Sequence, residues 1–205
     1  MQKKAATELK DILDPSHTCL VIWDVQNGLV KSIFNREEFV PGLKSLLAAA
    51  RKTGIPVVYT RITPLPTEYQ SGWTIYRNMR RFGVDDPKKL PRFMAPGSPE
   101  AEINPEVSPA EGEIVLAKSS ASIFVGTNFE YLMRNRQIET IVFTGISTEI
   151  GVDSSVRDAG NRGFYPIVAS DCVSSSSKEM HEAALKILPS VSLVMHSSTI
   201  SAQWV

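Results

Sequence analysis

The sequence predicts an α/β fold built on a parallel β-sheet, and two observations lead to this prediction. Six short apolar runs rich in β-branched residues lie along the chain, and runs without polar alternation are typical of strands buried on both faces. Amphipathic helical stretches separate most of these runs, which is the pattern of βαβ units with right-handed crossovers. The length of 205 residues predicts a single domain, residues 1–205, with one long insertion at residues 62–112.

The predicted strands are short and apolar: Cys19–Val25, Ile55–Thr60, Glu113–Ala117, Thr140–Thr144, Tyr165–Ala169 and Val191–Met195. Four helices are predicted between or after them: Glu38–Thr53, Asn128–Arg136, Ile150–Asn161 and Lys178–Leu188. The first helix carries its apolar residues on one stripe, and Gly54 stands where a helix C-terminus favours glycine. Thr127 is a candidate N-cap of the second predicted helix.

The insertion at residues 62–112 is unusually long for a compact domain, and such a segment is usually functional or partly helical. Six of the 13 prolines lie in the part of it from Pro64 to Pro99. It also carries an aromatic group formed by Tyr69, Trp73, Tyr76 and Phe82. We expect this aromatic group to anchor the segment or to pack against a second subunit rather than to contact a ligand.

Composition excludes several classes of partner. Lysine and arginine total 22, and so do aspartate and glutamate, so the zero net charge argues against nucleic acid and anionic membranes. The longest apolar runs have five residues, whereas a membrane span needs about 20. Residues Met1–Asp11 show no targeting pattern. Cys19 and Cys172 fit a reducing compartment as buried thiols, so we expect a soluble cytoplasmic protein.

Two charged residues stand where ligands bind in an open α/β sheet, at the carboxyl ends of strands. Asp24 interrupts one apolar strand, and Lys118 closes another. If these strands are neighbours, the pair forms an acid/base site; a structural ion pair is an equally weighted alternative. A nearby ammonium favours ionised Asp24 and desolvation opposes it, so the sequence leaves open whether Asp24 is an acid or a base.

Other polar residues follow the strands at the same edge: Gln26, Asn27, Arg61, Ser147, Thr148, Asp171 and Cys172. The segment Thr144–Asp153 combines a strand end, a turn and a helix start, and we expect its backbone N–H groups to face the binding site and favour an anion.

Four stretches, taken in order, resemble the isochorismatase-like hydrolases, which include the cysteine amidohydrolases: Val21–Asn27, Lys118 with Ala121 and Phe124, Gly145–Val152, and Ser155–Phe164. The resemblance covers about Thr18 to Met195. It implies a three-layer α/β/α fold with a six-stranded parallel sheet of Rossmann-like topology, and usually an oligomer.

The resemblance assigns Asp24 and Lys118 to two members of the amidohydrolases' Asp, Lys and Cys triad. The position of the cysteine is occupied by Gly151, which has no nucleophile, so an acyl-enzyme route is closed. The family also contains members with glycine there, the isochorismatases, which hydrolyse a vinyl ether. By this resemblance Asp24 is the acid that protonates the enol-ether carbon, Lys118 balances its charge, and Gly151 leaves room for the substrate and a water.

We therefore expect a hydrolase that acts on a small molecule without a covalent intermediate and needs no cofactor. Two alternatives stay open: a catalytically lapsed member that binds a small ligand or partner, and an amidohydrolase whose cysteine was replaced. The expected substrate-binding residues are Gln26, Arg61, Phe124, Ser147 and Thr148.

Two further expectations concern charge and metal at the site. Isochorismate is a dianion, and the arginine that often follows the family's lysine is missing, since Ser119 and Ser120 stand there. Its cations could be supplied by Arg61, Arg77, Arg80 or Arg81, although an arginine in this segment is more often a solvated surface charge. Some nicotinamidase-like members bind a metal through histidines in the segment after the second strand. Residues 62–112 contain no histidine, and His17, His181 and His196 lack ligand spacing, so no metal is expected.

Overall fold

The computed structural model describes residues 5–204. Residues 1–4 and 205 lie outside the described part, and with them Lys3 and Lys4 of the stretch in which no targeting pattern was found. Within residues 5–204 no helix has the length and apolar character that crossing a membrane demands.

The protein contains a six-stranded sheet whose strands are all parallel, in the order β3-β2-β1-β4-β5-β6. The strands are β1 Thr18–Trp23, β2 Val57–Ile62, β3 Ile114–Lys118, β4 Thr140–Ile146, β5 Tyr165–Ser174 and β6 Leu193–Met195. This order reverses direction between β1 and β4, which is the Rossmann-like arrangement and confirms the predicted fold class.

The helices are α1 Leu9–Ile12, α2 Asn27–Val30, α3 Arg36–Lys52, α4 Gly72–Phe82, α5 Phe129–Asn135, α6 Asp153–Asn161, α7 Lys178–Ile187 and α8 Ser197–Ser201. The four predicted helices correspond to α3, α5, α6 and α7, with ends shifted by at most three residues. Helix α4 lies in the insertion, which is thus partly helical. The short helices α1, α2 and α8 were not predicted, because one turn leaves almost no periodic signal.

Helices cover both faces of the sheet and produce two buried cores. Leu20 and Ile22 of β1 point to the face covered by α3 and α8, where Leu43 packs. Cys19 and Val21 point to the opposite face, covered by α5 and α6. This alternation explains why β1 is apolar throughout, as the sequence pattern predicted.

Strand β5 is longer than predicted, and this corrects one expectation. It runs through Ser174, so Asp171 and Cys172 lie inside the strand and not beyond its carboxyl end. The Asp171 carboxylate accepts hydrogen bonds from the Ser197 backbone N–H (2.7 Å) and from the Ser197 hydroxyl (2.6 Å) at the start of α8. Because Ser197 satisfies the carboxylate, Asp171 can lie within the strand. The local sequence does not show this partner, since α8 is far away in the chain.

Candidate active site

The carboxyl group of Asp24 is the centre of the site. Asp24 follows β1 with a φ of 49°, a left-handed conformation that is strained for a residue other than glycine and recurs at functional sites. The Thr60 hydroxyl donates a hydrogen bond to Oδ1 (2.5 Å), and the Lys118 ammonium donates one to Oδ2 (2.7 Å). The Asp24 backbone N–H in turn donates to Thr60 Oγ1 (3.0 Å). The structure thus brings Asp24 and Lys118 together.

Thr60 is a member of the site that the sequence analysis missed. It lies in β2, beside the end of β1, and is fully buried. A signal was available, because Thr60 is a hydroxyl-bearing residue that follows Val57, Val58 and Tyr59 at the same sheet edge as Asp24.

Lys118 reaches Asp24 from a strand that is not adjacent to β1. The pairing was expected only if the two strands were neighbours, but β2 lies between β1 and β3. The long lysine side chain crosses this distance with no exposed surface, and its Nζ also donates to the Ser120 carbonyl (3.1 Å). The pair therefore forms although the two strands are not neighbours, because the lysine side chain is long enough to pass β2.

Burial is the largest influence on both charged groups. It raises the pKa of Asp24, while the Lys118 ammonium and the Thr60 hydroxyl act in the opposite direction. Burial also lowers the pKa of Lys118, against the effect of Asp24. Both shifts favour the neutral forms, so Asp24 keeps a proton to a higher pH than an exposed carboxyl group does. Of the two roles that the sequence left open, these shifts favour the acid.

The indole of Trp23 covers this pair. The Lys118 ammonium lies 3.5 Å from the centre of the indole ring, within cation–π range, and Trp23 is only 4% exposed. A Cβ atom added to Gly151 would lie 1.7 Å from the indole Cη2. The space beside Gly151 is therefore filled by Trp23, which corrects the expectation that it is left for the substrate and a water. No local sequence pattern shows that these two residues meet.

Gly145 of β4 lets β1 and β4 approach closely at this point. It pairs with Trp23 in the sheet and has a φ of 113°. A Cβ atom there would lie 2.0 Å from the Trp23 carbonyl oxygen, which is far inside van der Waals contact. Glycine is therefore required to hold the backbone of Trp23, and with it Asp24, in this position.

Three backbone N–H groups of the turn after β4, where the sequence predicted an anion site, are used within the protein. A widened helical turn, Thr148–Val152, precedes α6. The backbone N–H groups of Ile150, Gly151 and Val152 all point to the Ser147 carbonyl, at 3.4, 3.1 and 3.2 Å. These three donors are used within the turn and are not available to an oxyanion.

Gln26 and Thr148, two expected substrate-binding residues, use their polar atoms inside the protein. The Gln26 amide is fully buried and bonds to the backbone of Ile62 and to the Ala101 carbonyl. The Thr148 hydroxyl is also buried, donating to the Ser174 carbonyl (3.1 Å) and lying 2.8 Å from Nδ1 of a histidine on α7.

The other three expected binding residues are more accessible. Phe124 is half-buried and packs against Phe129 and Phe164. Ser147 is half-buried at the end of β4. Arg61 is exposed, lies within β2 and not beyond it, and lines a cavity of about 40 Å³.

The second cavity lies in the insertion. This groove of about 590 Å³ is formed by residues 64–96 of the insertion. Asp24 and Lys118 line neither cavity. In this conformation the pair is enclosed.

His181, Cys19 and Cys172 are packed inside the protein. Residues 5–204 contain no group of three histidine, cysteine, aspartate or glutamate side chains placed to hold a metal ion. His181 is buried and packs edge-on against Phe34. Cys19 and Cys172 are buried free thiols, as predicted. Burial raises the pKa of Cys19 to about 12 and raises that of Cys172 as well, so neither group is held as a reactive thiolate.

Comparison with known proteins gives the family. The isochorismatase domain matches residues 18–198, which include Asp24, Lys118 and Gly151. The chain belongs to the isochorismatase family. It is a hydrolase of this family.

Relatives of this isochorismatase-family protein include enzymes that act on amides. The ureidoacrylate amidohydrolase of Methylobacterium radiotolerans is 31% identical over 193 residues, covering 84% of this chain and 73% of that protein. The maleamate amidohydrolase of Pseudomonas putida is 34% identical over 140 residues, covering 68% and 62%. The crystal structure of a cysteine hydrolase from Pseudomonas syringae pv. phaseolicola shares the fold, with a TM-score of 0.80, 20% identity and 93% of each chain covered.

Proposed function

We propose that this hydrolase cleaves a small molecule without a covalent enzyme intermediate, with Asp24 as the general acid and Lys118 as its charge partner. A vinyl ether is the substrate class that fits best. One observation carries the proposal: a buried carboxyl group with a raised pKa contacts a lysine, at a site whose nucleophile position is a glycine.

The reaction needs one proton donor and one water. Protonated Asp24 donates its proton to the terminal carbon of the enol ether, and the double-bond electrons form the new C–H bond. Water adds to the resulting oxocarbenium ion and returns a proton to the Asp24 carboxylate. The hemiketal then breaks its C–O bond and releases a ketone and an alcohol. No side-chain nucleophile takes part.

Lys118 and Thr60 support the step in which Asp24 becomes negative. The ammonium at 2.7 Å and the hydroxyl at 2.5 Å both stabilise the carboxylate that remains after proton transfer. Because this carboxyl group is 1% exposed, the substrate reaches it only after a covering group moves.

The test is pyruvate release from isochorismate, measured with a coupled dehydrogenase assay. Asp24→Asn keeps the shape of the side chain and removes the acid, so we expect a loss of about 10²–10⁴-fold. Asp85→Asn is the matched control, because Asp85 is an exposed aspartate paired with a lysine at the surface, and it should keep full activity. Unchanged turnover in Asp24→Asn would overturn the role of Asp24.

A second candidate substrate class is a small amide. The relatives named for ureidoacrylate and maleamate hydrolysis are 31% and 34% identical to this chain. With glycine at position 151, water itself would have to attack the amide carbonyl. Ammonia release from both compounds tests this class. If isochorismate and both amides are left intact, the proposal falls and the lapsed, ligand-binding alternative takes its place.

We also propose a cytoplasmic homo-oligomer. The free thiols of Cys19 and Cys172 fit a reducing compartment. The exposed aromatic side chains of α4 offer a surface for self-association.

A further inference from the structure

We propose that Trp23 and Gly151 depend on each other for space. The Trp23 indole fills the volume that a nucleophilic side chain at position 151 would need, so the site works without a nucleophile. The inference deepens the proposed function and rests on it, since it concerns the same Asp24–Lys118 site. By this inference the absent thiol cannot be restored by changing Gly151 alone.

The overlap is with a rigid group and not with a flexible chain end. A Cβ atom on Gly151 would lie 1.7, 2.0 and 2.2 Å from Cη2, Cζ2 and Cζ3 of the Trp23 indole. All three atoms belong to the six-membered ring, so they shift together or not at all. Even the smallest side chain at position 151 therefore requires the whole indole to leave.

The indole is held on two sides. The backbone of Trp23 pairs with Gly145 of β4. A Cβ atom at Gly145 would lie 2.0 Å from the Trp23 carbonyl oxygen, so the two main chains are packed closely and the Trp23 backbone cannot shift toward β4. Its ring face contacts the Lys118 ammonium at 3.5 Å from the ring centre. Turning the ring away from Gly151 breaks this cation–π contact inside a buried site, where such contacts are strongest.

Trp23 also controls what Lys118 can touch. The ammonium has three N–H donors. Asp24 Oδ2 and the Ser120 carbonyl accept two of them, and the indole face covers the ammonium as well. While the indole stays in place, the lysine is enclosed by these three partners. A smaller residue at position 23 frees both the ammonium and the space beside Gly151.

A double-mutant cycle on thermal stability tests the unit without measuring turnover. Gly151→Ala is expected to lower Tm by about 10 °C or more, because its Cβ overlaps the ring. Gly72→Ala is the matched control, since nothing lies within 4 Å of a Cβ there, and its Tm should stay close to that of the wild type. In a Trp23→Val background, Gly151→Ala should change Tm by only a few degrees.

The cycle remains decisive if the single variant does not fold. A folded Trp23→Val/Gly151→Ala protein beside an unfolded Gly151→Ala protein supports the inference. An equal loss of Tm in both backgrounds overturns it, as does a Gly151→Ala protein as stable as the Gly72→Ala control. If Trp23→Val itself does not fold, Trp23→Leu provides the background and the same comparison applies.

Thiol labelling gives an independent readout. In Trp23→Val/Gly151→Cys, iodoacetamide should modify one thiol, at position 151, because Cys19 and Cys172 are completely buried. A Gly151→Cys protein that keeps Trp23, is as stable as wild type and is labelled equally fast would overturn the inference. None of these readouts needs a substrate, so failure of the proposed vinyl-ether reaction is seen separately, as absent pyruvate with an intact cycle.

Discussion

At the scale of single residues, the acidity of Asp24 is set by three neighbouring influences. Burial raises its pKa, and the hydrogen bonds from Lys118 and Thr60 lower it. A general acid works only while protonated, so we expect the rate to fall as the pH rises through this raised pKa, above the ordinary value of 3.8. Removing a group that stabilises the carboxylate should move this fall to higher pH.

Thr60→Val removes one such group while keeping the shape of the side chain. We expect the pH at which the rate falls to increase by up to about one unit, since one hydrogen bond to the carboxylate is lost. Thr60→Ser keeps the hydroxyl and should keep the wild-type profile. The measurement is turnover against pH for the three proteins, and identical profiles would show that the hydroxyl does not act on the acid.

The buried pair also makes a prediction about stability. Lys118→Met leaves the Asp24 carboxyl group without its ammonium, and Asp24→Asn leaves the ammonium without its carboxylate, so each should lower the free energy of unfolding by about 3–5 kcal/mol. The double variant removes both charges and should lose much less than the sum. Urea unfolding of the four proteins measures the coupling. Losses that simply add would contradict a direct interaction.

At the scale of secondary-structure elements, the ends of the strands were harder to predict than their existence. All six strands were predicted, because apolar runs are a local signal. Strand β5 was predicted to end at Ala169 but continues to Ser174, since Asp171 finds its partners in Ser197 of α8. The turn after β4 was predicted to bind an anion, and three of its N–H groups donate to the Ser147 carbonyl instead.

The close contact between β1 and β4 at Gly145 leads to a prediction about stability. Gly145→Ala adds a Cβ where the Trp23 carbonyl oxygen stands at 2.0 Å and where φ is 113°, so we expect a loss of at least about 3 kcal/mol or failure to fold. Gly163→Ala is the control, because its φ of 80° carries a similar strain but nothing lies within 4 Å, and about 1 kcal/mol is expected. Equal losses in chemical unfolding would mean that the close approach is unimportant.

At the scale of the whole molecule, helix α4 is the most unusual surface feature. None of its residues is buried, and Trp73 and Tyr76 are 68% and 53% exposed. Its last aromatic residue, Phe82, instead packs toward Phe93 of the insertion, which fits the expected anchoring role. The zero net charge does not oppose association of identical copies. These features favour self-association through the exposed part of α4.

Sedimentation velocity tests this expectation. The native protein should sediment as a species larger than the 22.6 kDa chain, and Trp73→Ser/Tyr76→Ser should shift it toward the monomer. Tyr131→Ser is the control, because Tyr131 is a similarly exposed aromatic residue on α5 and should leave the distribution unchanged. A monomeric native protein, or equal behaviour of all three, would rule out this surface as the contact.

The amino-acid sequence was enough to predict the parallel α/β fold and the two charged residues at the sheet edge, and it shows a glycine at position 151. These follow from periodicity, residue type and order along the chain, which are local properties. The packed fold was needed to show that Lys118 reaches Asp24 across β2, that Thr60 joins them, and that Trp23 fills the space beside Gly151. These contacts join residues that are far apart in the chain. Their distances, and the space available to each side chain, are fixed only when the sheet and helices pack together.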